Sequence, residues 1–543
     1  IIPLMVDCNI TPGDVVEMPI SAIVRTQTPL YPVMDNMYMD ISVWFVPDRL
    51  TWKHFKNFWG ENDTTFWEET TEYEIPQIEA PEGGWAVGSL ADYFGIPTGI
   101  EGISVSHMPF RAYSLIWNEF WRDENLKEPI FFNDDETTLT GKNYNSQTFD
   151  YTTDIQLGAC PMTAAKVADY FTKALPEPQK GPDIALPLGD EAPVTSAKYL
   201  KVHGTGKTLG LMTKNSDGNL TYAWPTTTTG GDIGAVNFNP FPESPVDLGT
   251  NTGNDSLVTN TRKSIGLTPS ADWSGVVADL PKLTADLSNA LGATVNQLRT
   301  AIALQRYYEA LARSGSRYIE VLSGIFGVES SDKTLQRPQF LAGKRVPMNM
   351  TQIVATAEGT NNDLGETGAM SQTIINDYLG TFSFEEHGTL MVLGVTRHEH
   401  TYSQGIPRMF LRKKQFDFYN RALDHLGEDI VYNAEIFAQG TDDDQEVFGY
   451  QPRYEDMRLG RSYVSGEFRN DATGTLNSWT YQDNYDTLPT LSSEWIDEGV
   501  EAVDRTLKVT SAAANQIFGD FYFKCNYIRG MSMYGTPGFM DHM

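Results

Sequence analysis

Met37-Tyr38-Met39-Asp40-Ile41-Ser42-Val43-Trp44-Phe45 decides the fold. Every odd position from 37 to 45 is apolar, and Tyr38, Asp40, Ser42 and Trp44 lie between them. Side chains alternate across a strand, so this period of two predicts a strand with one buried face, ended by Pro47. Upstream, Val15 to Val24 is rich in strand-formers and follows a Pro12-Gly13 turn. Downstream, Thr51 reads as the cap of a short helix carrying Trp52, Phe55 and Phe58. Ala164 to Ala174 reads as a second helix, stopped by the prolines from Pro176 onward.

The pattern then breaks. Of the 100 residues 191–290, 56 are Ser, Thr, Gly, Asn, Asp or Pro, too many for a core and too long a run for an ordinary loop. This stretch reads as an exposed insertion with a little β structure of its own. Regular pattern returns at Thr294 and Gln297, spaced as a capping box. Leu298, Ala301, Leu304, Tyr308 and Leu311 follow as one helical stripe, and Ser314-Gly315 supplies the stop. Leu390 to Val395 is a continuous apolar run of strand length, and the last third is aromatic and β-like through Phe521-Tyr522-Phe523. Strands on both sides of a polar insertion, with few helices, suit a β-sandwich or jelly roll with long loops. The division is 1–190, 191–290 and 291–543.

Composition narrows the function classes. The 543 residues carry a net charge of −31, which argues against a protein that coats duplex DNA through a general basic surface. With 40% hydrophobic and 20% charged residues, wholesale disorder is not expected. No apolar run reaches the length of a membrane span, so no membrane insertion is expected. Ile1-Ile2-Pro3 has neither an initiator Met nor a signal-peptide pattern, and reads as the start of a trimmed product. Cys8, Cys160 and Cys525 are odd in number and far apart, which suggests no disulfide framework.

Several motifs invite chemistry and lack parts of it. Gly204-Thr205-Gly206-Lys207-Thr208 has Lys201 where a phosphate loop needs its first Gly, and a turn where it needs a helix. Asp442-Asp443-Asp444 lacks the alternating ligands of a calcium loop and reads as a solvated turn. His398 and His400 share a strand face and could share a metal, with Glu385, Glu386 or His387 as further ligands. No complete set is visible, so no cofactor is assigned, and a polar strand end or subunit contact is the expected role.

The segment 397–421 stands out. Six cations, Arg397, Arg408, Arg412, Lys413, Lys414 and Arg421, face only Glu399 and Asp417, for a local net charge of +4. Tyr402, Phe410, Phe416, Phe418 and Tyr419 are interleaved. Cations for phosphates and aromatic faces for bases are the requirements of single-stranded nucleic acid. Arg408, Arg412, Lys413, Lys414 and Arg421, with Phe416 and Tyr419 for stacking, are the candidate binding residues. The competing reading is a set of subunit contacts and salt bridges.

Short runs across both flanks resemble the major capsid protein of the gokushovirus branch of the Microviridae. They begin with Tyr31-Pro32-Val33-Met34-Asp35-Asn36 and Phe45-Val46-Pro47-Asp48-Arg49-Leu50, and continue through Leu186-Pro187-Leu188-Gly189 and Leu335-Gln336-Arg337-Pro338. The most specific are Thr401-Tyr402-x-Gln404-Gly405, Leu426-Gly427-Glu428 and Val447-Phe448-Gly449-Tyr450-Gln451-x-Arg453-Tyr454. The resemblance covers roughly 1–189 and 292–543, in order. It implies a viral jelly roll, an eight-stranded antiparallel β-barrel with long loop insertions and a few helices. It implies a structural protein and not an enzyme: a T=1 icosahedral homo-oligomeric shell around a circular single-stranded DNA genome. The insertion would be a threefold surface protrusion used on a bacterial host surface receptor. A small basic DNA-packaging protein would be a partner. The expected location is the virion, with assembly in the host bacterial cytoplasm. Family members usually begin some tens of residues earlier, with a basic, aromatic lead. The alternative class is a carbohydrate-active jelly-roll enzyme or lectin, which would need two carboxylates in an aromatic cleft.

Overall fold

In a computed structural model of the chain, described residues are 1–61, 72–182, 184, 295–315, 317–356, 364–365 and 367–531. Between 194 and 285 the backbones of short strands are described as well. The chain divides into two compact units, Ile1–Pro182 with Gln305–Met543, and Asp183–Leu304.

The first unit is built on two antiparallel sheets. Its strands are β1 (Ile2–Ile10), β2 (Val15–Thr26), β3 (Met37–Pro47), β4 (Gln339–Pro347), β5 (Thr373–Ser383), β6 (Gly388–His398) and β9 (Ile517–Phe523), with β7 (Glu428–Tyr432) and β8 (Val447–Pro452) pairing separately. One sheet runs β1-β6-β3-β4 and the other β5-β2-β9. β1, β3, β4 and β6 lie in one sheet and β2, β5 and β9 in the other, so among these seven strands the chain changes sheet at each step except from β3 to β4.

The alternation at 37–45 is realised as read. Met37, Met39, Ile41, Val43 and Phe45 are buried between the sheets, against Met18, Ile20 and Ala22 of β2 and Leu390 and Val392 of β6. Val43 lies opposite Val392 on one side and Ala342 on the other. The other face of β3 is buried too, which the alternation did not predict. Trp44 and Val46 pack, with Met391 and Leu393, against Phe110, Tyr113 and Ile116 of helix α1 (Met108–Ile116). This explains the unbroken apolar run in β6: a strand covered on both faces has no polar side to show. Asp40 and Ser42 survive in this layer through partners. Asp40 accepts from Arg345 and Arg397 at 2.5–3.1 Å, and Ser42 Oγ accepts from Trp44 Nε1 at 2.8 Å.

One expected helix forms only from Phe55 onward, and another is absent. Thr51 caps nothing: its hydroxyl donates to Asp48 O, closing a 3-10 turn, and the single helical turn Phe55–Phe58 begins after His54. The 164–174 stretch is extended and turned. Lys166 N donates to Ile496 O, and the Asp169 carboxylate accepts from Phe171 N and Thr172 N. Those tertiary and local side-chain bonds replace the helical ladder. Helix α2 (Val295–Ser314) is present and ends at Gly315, whose φ of +107° suits glycine. Its expected apolar stripe is not core: Ala312 is its one buried residue, and Leu298 and Leu304 are exposed.

In the second unit, Tyr199–His203 pairs with Val236–Asn237 and Val277–Asp279, and Gly210–Lys214 pairs with Leu220–Tyr222 and Gly266–Thr268. The Gly204–Thr208 motif and the Thr294 cap lie outside the described residues. Among the described residues no helix is long and apolar enough to cross a membrane.

Candidate functional site

The 397–421 segment leaves the end of β6 and runs as turns around Tyr402, which is buried beside Phe171 and Phe448. Gly405 lies so close to the Glu435 carbonyl that a Cβ there would sit 1.9 Å from it, so glycine is required. Pro407 precedes a single helical turn, Arg408–Leu411.

The cations of the segment separate into two groups. Arg397 is bound to Asp40. Arg408 donates to Glu435 Oε1 at 2.7 Å and to Asp429 Oδ2 at 3.1 Å, and lies over the Tyr432 ring. Arg412 donates to Asp456 Oδ2 at 2.6 Å. These three guanidiniums are neutralised within the subunit. Lys413, Lys414 and Arg421 are exposed, and among the described residues none of them has an ion-pair partner.

Their backbone is nonetheless held. Asp417 Oδ2 accepts from Lys413 N at 2.8 Å and Lys414 N at 2.7 Å, and these two bonds hold its carboxyl below the usual range. Arg453 donates to Phe416 O at 2.7 Å, and Tyr454 Oη donates to Phe418 O at 3.0 Å. Asn420 Oδ1 accepts from Ala422 N, capping the turn that carries Arg421. Phe416 is 65% exposed and Tyr419 52%, with Phe410 and Phe418 exposed near them. The result is a strip of exposed cations without ion-pair partners among the described residues, and of exposed aromatic rings, around the Asp417 carboxylate that holds its backbone. Such a strip can attract phosphate and stack bases.

At the end of β6 lies a buried histidine cluster. The His398 and His400 rings are 4.3 Å apart, although β6 ends at His398 and His400 lies just beyond the strand. Their neighbours are not those expected. Glu386 pairs with Arg49, Glu385 with Lys333, and His387 stacks on Trp59. Asp483 and Glu498 come in instead. His400 donates from Nδ1 to Asp483 Oδ1 at 2.8 Å, and its Nε2 lies 3.2 Å from Glu498 Oε2. His398 Nδ1 lies 2.6 Å from Glu498 Oε1. Burial alone would lower the pKa of His400, but the two carboxylates carry it up to about 9. Asp483 is held well below the usual carboxylate range: burial opposes this, and His400 and Lys166 impose it. No local spacing announces Asp483 or Glu498, since more than 80 residues separate each from the histidines.

The acidic run at 442–444 is not simply solvated. Asp444 is buried and accepts from Gln439 N at 2.8 Å and Gly440 N at 2.7 Å, which makes it a structural cap.

A family model described as capsid protein (F protein) matches residues 1–539. Capsid protein VP1 of Spiroplasma virus 4 is 36% identical over 533 residues, covering 97% of this chain and 90% of that protein. Capsid protein VP1 of Bdellovibrio phage phiMH2K is 34% identical over 539 residues, covering 98% and 91%. Capsid protein VP1 of Chlamydia phage 1 is 34% identical over 576 residues, covering 99% and 92%.

Proposed function

The chain belongs to the capsid protein (F protein) family, as a major capsid protein of Microviridae phages, and on that premise we propose that its 413–421 strip faces a single-stranded DNA genome inside the shell. The protein is a structural component of the virion that assembles with copies of itself, and it is not an enzyme.

The observation that carries the genome reading is the separation within the cationic segment. Arg408 and Arg412 serve the subunit by anchoring the strip, while Lys413, Lys414 and Arg421 remain uncompensated on a chain of net charge −31. Exposed Phe416 and Tyr419 stand among them, and each base stacked on such a ring contributes roughly 1–3 kcal/mol. Contacts of this kind bind without reading sequence and weaken with salt, as packaging a whole genome requires. A small basic DNA-packaging protein would supply the countercharge that so acidic a shell lacks.

The finer architecture is part of the same proposal. Two antiparallel sheets about one core, with the chain crossing between them at most steps, support a viral jelly roll, formed by 1–190 and 291–543, in a T=1 icosahedral shell around a circular genome. The polar segment 191–290 is read as a threefold protrusion that meets the host receptor, and assembly is placed in the host cytoplasm.

The test replaces Lys413 and Lys414 by Gln and compares yields of filled and empty particles. Fewer filled particles with normal empty shells supports the reading. Equal loss of both assigns the lysines to subunit contacts and ends the DNA assignment. Separately, replacing 191–290 by a short Gly-Ser linker should leave shells that form and attach poorly to cells.

A further inference from the structure

The histidine cluster has the composition and spacing of a metal site. One potential donor atom from each of His398, His400 and Asp483 lies within 4.8 Å of the others. A first-row divalent ion with N and O ligands at about 2.0–2.2 Å holds its donors about 3.3–3.6 Å apart in a tetrahedron, so the set closes when each donor moves inward by up to about 0.7 Å. Glu498 adds a carboxylate already touching both imidazoles. Both histidine side chains are 2% exposed. His398 Nε2 is buried and has no hydrogen-bond partner among the described residues. A buried imidazole nitrogen left without a partner is costly unless something else satisfies it.

The surroundings are also those of a built site. Tyr485 Oη donates to Asp483 Oδ2 at 2.7 Å and accepts from Trp495 Nε1 at 3.0 Å, and Lys166 Nζ lies 3.5 Å from Asp483. Outer partners of this kind orient ligating carboxylates. We propose that His398, His400, Asp483 and Glu498 bind one first-row divalent transition ion, with Zn²⁺ as the type. Imidazole with carboxylate suits that class, whereas Mg²⁺ and Ca²⁺ favour all-oxygen sets. The ion's role is structural: it ties the end of β6 to the loops at 483 and 498. Two carboxylates offset its charge.

The experiment uses assembled particles, stripped with chelator and gel-filtered, then incubated with Zn²⁺ at pH 8. Metal analysis should find about one zinc per chain retained, and zinc should raise the thermal midpoint. Asp483→Asn keeps the side-chain shape and should weaken zinc binding at least about tenfold, as should His398→Gln. Stripped wild-type particles that take up no zinc would overturn the proposal, and this requires no variant to fold. So would binding unchanged in both variants, or a midpoint indifferent to zinc. In each of those cases the cluster is held by imidazolium–carboxylate pairs alone.

Discussion

Val43→Asp places a carboxyl at the centre of the layer between the two sheets. Val43 is fully buried, with Val392 and Ala342 beside it. Removing the valine forfeits about 1.5–3 kcal/mol of burial. A carboxyl held there without a partner has its pKa raised by about 3–5 units, which costs about 4–5.5 kcal/mol at pH 8. Together that is about 6–8 kcal/mol, comparable to the whole stability of a typical domain, about 5–15 kcal/mol. The expected outcome at pH 8 is loss of soluble subunit and of particles, measured by fractionation and negative-stain counts. The sign with pH is fixed. A raised carboxyl pKa means that the folded state binds the extra proton, so the defect is smallest near pH 4 and grows as pH rises through the raised value. Ile23→Asp is the control, because Ile23 is 41% exposed on the outward side of β2 and should cost little. Val43→Asp particles in wild-type yield at pH 8 would refute the inward register of β3.

Three further outcomes are expected. Arg408→Ala strands Glu435, whose side chain is 1% exposed, and should cost about 3–5 kcal/mol, read as a lower thermal midpoint. Arg408→Lys should recover only part of this, because the guanidinium fork bridges Glu435 and Asp429. Asp48 is pushed up to about 7 by burial, with the Glu386 charge adding to it, so the folded state binds its proton more tightly than the unfolded one and stability falls between about pH 4 and 7. Asp48→Asn should flatten that fall, by up to about 3 kcal/mol in denaturation compared at pH 5 and pH 8. Gly405→Ala drives a methyl into the Glu435 carbonyl and should abolish soluble assembly, whereas Gly440→Ala meets no neighbouring atom and should cost only its left-handed backbone strain.

Period-two patterning alone placed Met37, Met39, Ile41, Val43 and Phe45 on a core face, because a strand's side chains have only two sides to choose between. Apolar runs, helical spacing and charge counts likewise identified the β6 strand, the helix near 295 and the cationic stretch around Lys413 and Lys414. What they could not decide was anything that depends on a second segment arriving from far away. The outward side of β3 looked solvated because Asp40 and Ser42 are polar, yet α1 and Trp85 cover that face and two arginines distant in sequence neutralise Asp40. Ala164 to Ala174 has helical propensity, which lost to backbone bonds with Ile496. Arg408 and Lys413 are five positions apart and alike in charge, but Glu435 and Asp429 reach only the first. His398 and His400 announced half of a cluster, and Asp483 and Glu498 completed it from loops more than 80 residues downstream. Local propensity is written in neighbouring residues, whereas burial and charge compensation are set by contacts whose partners only the folded chain selects.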